Sequence, residues 1–137
     1  MKIAFSTDEV TEGTDHLRRG LADRGHEVAA SVLGEEWPTV GRTVGAAVAA
    51  GDADLGVVCC WTGTGVALAA NKVPGVRAAL CTDAETARGA RRWNDANVLA
   101  LGLRLTSATV AEEIVEAFLT TEGDAAELDT IAGVEPR

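Results

Sequence analysis

The chain has 137 residues, enough for one domain with an ordinary hydrophobic core, and 47% hydrophobic with 24% charged residues describes a folded globular protein rather than a disordered one. Its net charge of −9 argues against nucleic acid as a partner, because no basic surface would neutralise phosphates along a groove. No apolar run approaches the roughly 20 residues of a membrane span, and no signal-peptide pattern precedes the first strand, so no membrane association and a cytoplasmic location are expected.

Lys2 to Ser6 (KIAFS) reads as the first strand, with Asp8 and Glu9 just past its end. Gly13 to Arg24 reads as a helix, with Leu17 and Leu21 on one face and Gly25 as the stop. His26 to Ser31 is the second strand; a loop follows, and Pro38 opens the next helix. Val40, Val44, Ala47 and Val48 keep helical spacing up to Ala50. Leu55 to Cys59 is a buried apolar strand with Cys60 at its end. Thr62-Gly63-Thr64-Gly65 then forms a small-residue turn, and Val66 to Lys72 a short Ala-rich helix. Pro74-Gly75 turns into a fourth strand, Val76 to Leu80. Asp83 caps a helix reaching Trp93, and Asn97 to Leu101 is the fifth strand. Thr106 or Ser107 caps the last long helix, Ala108 to Leu119, with Ile114, Val115 and Phe118 on its apolar face. Beyond Thr121 the chain is polar and acidic, with weak helical character around Ala125 to Ile131. This alternation predicts an α/β fold: a single-domain, Rossmann-like three-layer sandwich with a five-stranded parallel sheet over residues 1–120, then an acidic tail at 121–137.

In such a fold chemistry sits at the carboxyl ends of strands, facing helix N-termini. Cys60 stands there. A free cysteine is more often a small buried hydrophobe, but one beside a glycine-rich turn and a helix start occupies a setting where thiols become reactive. Cys59 points to the opposite face of the strand and belongs to the core, and Cys81 is read as packing. Three cysteines, two of them adjacent, suit reduced thiols rather than a disulfide framework. Two histidines without a Cys-x-x-Cys pair give no metal site. The Gly63-Thr64-Gly65 turn is either a tight connection needing positive φ or an anion cradle of backbone N–H groups. Lys72 comes too late for a Walker pattern and the dinucleotide fingerprint is missing, so no nucleotide cofactor is expected.

Two blocks carry a likeness to a known family: Gly63 to Leu80, centred on Ala69–Gly75 (AANKVPG), and Trp93 to Gly102 (WNDANVLALG). With them, the chain from Lys2 to about Leu119 resembles the ribose-5-phosphate isomerase B and galactose-6-phosphate isomerase family of sugar-phosphate isomerases. The resemblance implies the same fold, a homodimer or tetramer with the active site at the dimer interface, and no metal or cofactor. It implies that Cys60 is the base that removes the proton next to the carbonyl. Thr62 then assists proton movement between the two substrate oxygens. The amides of Gly63, Thr64, Gly65, Val66 and Ala67 would stabilise the enediolate oxygen. Asp8 matches the acidic residue after the first strand, and Asn71 and Asn94 match polar residues lining the site. Arg104 matches an arginine that contacts phosphate, a role a guanidinium suits.

The departures from the family pattern are equally specific. Glu9 stands where the family has histidine, Trp93 where it has the histidine assigned to ring opening, and Trp61 where it has glycine. The C-terminal Arg/His cluster that helps hold phosphate is missing: Thr121 to Pro136 contains no Lys, Arg or His, and terminal Arg137 is no replacement. Proton transfer needs a base and an oxyanion cradle, and both are kept. The expected activity is therefore aldose–ketose isomerisation of a small or open-chain sugar phosphate, which needs no ring opening. Glu9 is either an acid/base made effective by partial burial or a solvated loop carboxylate. Trp61 and Trp93 either line the substrate pocket or pack at the dimer interface, with Trp37 a third wall. Arg88, Arg91 and Arg92 read as a solvated basic face. Two other functions stand against the isomerase. One is a catalytically lapsed homologue that binds a sugar phosphate as a sensor or partner subunit. The other is a thiol hydrolase, disfavoured because neither His16 nor His26 is placed to pair with Cys60.

Overall fold

The computed structural model describes residues 1–135. Strands β1 (Lys2–Thr7), β2 (Glu27–Leu33), β3 (Leu55–Cys60), β4 (Ala78–Leu80) and β5 (Val98–Gly102) form one parallel sheet in the order β2-β1-β3-β5-β4. Five long helices connect or follow them: α1 (Glu12–Asp23), α2 (Trp37–Ala49), α3 (Thr64–Asn71), α4 (Ala84–Asn94) and α5 (Ala108–Thr120). A 3₁₀ turn at Ala125–Glu127 leads into a short α6 (Leu128–Ala132). This is the three-layer α/β sandwich expected. Among the described residues no helix is long and apolar enough to cross a membrane.

β3 lies in the middle of the sheet, and all six of its residues are buried because helices cover both faces. Its side chains alternate. Val57 and Cys59 enter a core with Phe5, Leu99, Ile114 and Phe118 beneath α1, α4 and α5. Val58 and Cys60 enter the other, with Ala4, Val40, Val44 and Val66 beneath α2 and α3. Cys59 is thus core, as expected, and complete burial pushes its thiol up to about 12. Burial likewise pushes the Cys81 thiol up to about 11, in keeping with a packing role.

α2 and α3 approach backbone to backbone. A Cβ on Gly41 would fall 2.5 Å from the Ala69 Cβ and 2.7 Å from the Val66 carbonyl oxygen, so α3 is seated firmly against its neighbour. Pro38 lies in the first turn of α2, and Asp83 caps α4 by accepting from the Thr86 N–H. Ser107, rather than Thr106, caps α5. β4 is shorter than expected: Val76 closes the Pro74-Gly75 turn by bonding to the Val73 carbonyl, and Arg77 bonds through its backbone to the Asn97 side chain, so sheet pairing begins at Ala78.

Two features depart from the reading of the surface. Arg91 is not part of a solvated face: its side chain is 14% exposed, donates to the Thr121 carbonyl, pairs with Asp95 and lies over the Phe118 ring. Arg88 and Arg92 remain exposed. The acidic C-terminal segment docks on the body, with Ile131 buried and the Glu135 carboxylate 2.7 Å from Arg77 Nη1. Arg137 lies outside the described residues.

Candidate active site

The turn after β3 is built by glycines packed against the end of β5. Gly63 adopts φ +78, a left-handed conformation that an L side chain resists. A Cβ there would also lie 2.8 Å from the Gly102 nitrogen, and one on Gly102 would lie 2.5 Å from the Thr62 carbonyl oxygen. Two backbone bonds complete the seat: Leu103 N–H donates to the Cys60 carbonyl at 2.9 Å, and Arg104 N–H to the Trp61 carbonyl at 2.8 Å. Gly102 was not among the residues singled out from sequence. Its signals were its place closing the Trp93–Gly102 block and its position at a strand end, which acquire meaning once Thr62 is known to lie opposite.

Cys60 is buried, and its Sγ accepts a hydrogen bond from the Gly63 N–H at 3.2 Å. As N-cap of α3, Gly63 has no side chain to offer, so the N–H groups of Thr64, Gly65 and Val66 stand without a capping side chain at the positive end of the helix. Ala67, expected in the same cradle, is not free for it: its N–H donates to the Gly63 carbonyl in the first helical turn. The hydroxyls of Thr62 and Thr64 lie 2.9 Å apart and are exposed. Trp37 packs on this helix start, since a Cβ at Gly65 would fall 2.8 Å from its ring.

Asp8 and Glu9 follow β1 and diverge. Asp8 lies with Trp37 and Pro38 along an open cleft on the α2 side, and its Oδ1 is buried without a hydrogen-bond partner. Burial, with a smaller push from neighbouring Glu9, raises the Asp8 carboxyl above the ordinary carboxylate range. Glu9 is exposed and lies with Trp61 on the opposite side. The Arg104 side chain is exposed.

The structure does not bring Asn71, Trp93 and Asn94 to this edge. α3 begins at the carboxyl end of β3 and runs back along the sheet, so Asn71 ends at the amino end of β4. There its amide is engaged at both ends, donating to the Ala78 carbonyl and accepting from the Ala78 N–H. Ala78 is level with Val98 and Gly56, four residues before Cys60, a separation of about 13 Å at the strand rise. α4 likewise finishes at the amino end, and Trp93 and Asn94 line a cavity of about 460 Å³ there with Asn71, Lys72, Arg77 and Glu135. Trp93 packs on Gly89 and leaves 53% of its surface exposed. Sequence reasoning also missed Arg77, which pairs with both Asp95 and Glu135 and fixes this end of the molecule. Among the described residues no group of three or more His, Cys, Asp or Glu could hold a metal ion.

A thiol and a row of helix N–H groups lie together at the carboxyl edge of the parallel sheet, where open α/β folds place their sites. The chain belongs to the ribose/galactose isomerase family, whose profile matches residues 3–131. It is 42% identical over 103 residues to the galactose-6-phosphate isomerase subunit LacB of Clostridium acetobutylicum, covering 72% of this chain and 60% of that relative's length. With the D-erythrulose-4-phosphate isomerase of Pectobacterium atrosepticum it shares 37% identity over 110 residues, 80% of this chain and 72% of the other. The fold superposes on ribose-5-phosphate isomerase B of Clostridium thermocellum with a TM-score of 0.91 and 36% identity, covering 98% of this chain and 95% of that one.

Proposed function

We propose that the protein is an aldose–ketose isomerase of a small or open-chain sugar phosphate, working through an enediolate with Cys60 as base. The observation that carries this reading is the pairing of Cys60 Sγ with a helix start whose first amides have no capping side chain. The Cys60 thiolate takes the proton from the carbon next to the carbonyl. The electron pair moves into an enediol double bond, and the carbonyl oxygen becomes an oxyanion. The Thr64, Gly65 and Val66 amides stabilise that oxygen, each such donor being worth about 10²–10³ in rate. Thr62, bonded to Thr64, moves a proton between the two oxygens. The Cys60 thiol then returns its proton to the neighbouring carbon, completing the exchange of aldehyde and ketone.

The site is shared between two copies of the chain. Trp93 and Asn94 reach Cys60 only from a second copy, presented by the amino end of its sheet, and the family resemblance supports such an interface. Arg104 contacts the phosphate. The substrate is short because Trp61 stands where the family has glycine and the segment Thr121 to Pro136 offers no Lys, Arg or His to hold a distant phosphate; the relative named for a four-carbon ketose phosphate supports the same choice.

Incubation with tetrose, pentose and hexose phosphates in deuterated water tests the chemistry. Deuterium should enter at the carbon next to the carbonyl, and Cys60→Ala should slow that exchange by about 10²–10⁴-fold, the usual worth of a positioned base. Exchange unaffected by Cys60→Ala would remove the thiol as base. Tight binding of a sugar phosphate without exchange in the wild type would identify a lapsed, sensing homologue instead.

A further inference from the structure

A cavity of about 170 Å³ opens beside Trp61 on the α1 and α5 side of the sheet, and the proton-transfer chemistry makes no use of it. Leu17, Leu101, Leu103 and Trp61 give it apolar walls, and Glu9 with Thr106 gives it polar ones. Trp61 follows Cys60 and Glu9 follows Asp8, so the cavity and the thiol share the carboxyl edge while lying on opposite faces of the sheet.

Two helices begin at this cavity. Thr11 caps α1 by accepting from the Thr14 N–H at 3.1 Å, and Ser107 caps α5 by accepting from the Val110 N–H at 3.3 Å. Helix starts of this kind favour an anion in front of them. Among the described residues that line the cavity, Glu9 alone carries a charge, and it is negative. A phosphate entering the same space would meet a like charge. A hydroxyl would meet a carboxylate acceptor, and carbon-bound hydrogens would meet the Trp61 ring. The volume is that of roughly five or six water molecules, room for a few hydroxyl-bearing carbons.

We propose that this cavity is a specificity subsite that takes the neutral, hydroxyl-bearing part of an acyclic sugar chain and turns phosphate away, with Trp61 reading chain length and Glu9 reading charge. The assignment rests on the isomerase reading of Cys60. The phosphate then lies outside the cavity, on the side of Arg104.

Steady-state kinetics of wild type, Glu9→Gln and Trp61→Gly on a tetrulose 4-phosphate and a pentulose 5-phosphate read both residues. Trp61→Gly should shift kcat/KM toward the longer substrate by about 10-fold, the scale of a methylene-sized change in a pocket. Glu9→Gln should raise KM for the shorter substrate by about 10-fold with kcat within about twofold, and tighten inhibition by inorganic phosphate. Equal factors for both chain lengths in Trp61→Gly, or unchanged KM and phosphate inhibition in Glu9→Gln, would overturn the assignment. If the wild type isomerises neither substrate, the reading of Cys60 fails, and the cavity is judged separately by ligand-observed NMR with erythritol and inorganic phosphate. Erythritol binding that Glu9→Gln weakens supports the subsite; binding of phosphate instead, or of neither, overturns it.

Discussion

At the carboxyl end of β3 the chain is shaped by missing side chains, whereas at the amino end of β4 and β5 it is shaped by long ones. Gly63 and Gly102 let Thr62 and the end of β5 meet backbone to backbone, which sets Cys60 beside its N–H donor. Across the molecule, Arg77, Asn71, Asn97 and Asp95 tie the loops together through side-chain hydrogen bonds and ion pairs. The first construction leaves no room for a side chain at either glycine. The second leaves Trp93 exposed on a firm base. In the proposed dimer each end supplies half of a site, and each should break in its own way.

Gly102→Ala attacks the first construction and should have the largest effect. Its Cβ would sit 2.5 Å from the Thr62 carbonyl oxygen, and neither group is a flexible side-chain tip. The turn must shift, with an expected loss of about 10²-fold in kcat, the worth of an ångström of misplacement, and about 1–3 kcal/mol in stability. Kinetics and thermal unfolding on the same preparation check both. Arg77→Met attacks the second construction. It leaves Asp95 and Glu135 without this partner and should cost about 1–3 kcal/mol, with faster hydrogen exchange in α6 and little change in the turn after β3.

Asp8→Asn should act more gently and with opposite signs on stability and function. The Asp8 carboxyl is raised by burial, so the folded chain binds its proton more tightly than the unfolded chain. Stability from this group is present below the ordinary Asp pKa and is lost as pH rises through the raised one. Asn cannot ionise, so stability curves for wild type and variant should diverge with rising pH across that window, the variant being relatively favoured. Activity should fall, because a carboxylate is a stronger acceptor for a substrate hydroxyl than the neutral amide that replaces it. Parallel stability curves across that window would contradict the account of Asp8.

Local chemistry explains why so much of the fold was legible. The apolar run of β3, the Asp83 cap and the spacing of Ile114, Val115 and Phe118 each depend on neighbours within a few residues. The site was legible only in part, because residue types announce a chemistry without saying which end of a helix they occupy. Cys60, Thr62 and the small-residue turn were readable as a unit since one strand–turn–helix carries them. Asn71, Trp93 and Asn94 carried equally recognisable residues, yet α3 and α4 run back along the sheet and deliver them to the far end. Arg77 gave no sequence signal at all, since its partner Glu135 is 58 residues away.

Mixing two inactive proteins tests the shared site most directly. Cys60→Ala lacks the proposed base at the carboxyl edge, and Asn94→Asp alters the group proposed to be presented from the amino end. If each site joins one edge from each copy in a two-fold dimer, subunit exchange between equal amounts places one intact site in each mixed dimer, restoring about a quarter of wild-type activity. Activity that stays at the sum of the separate variants after verified subunit exchange would contradict a site divided between two chains.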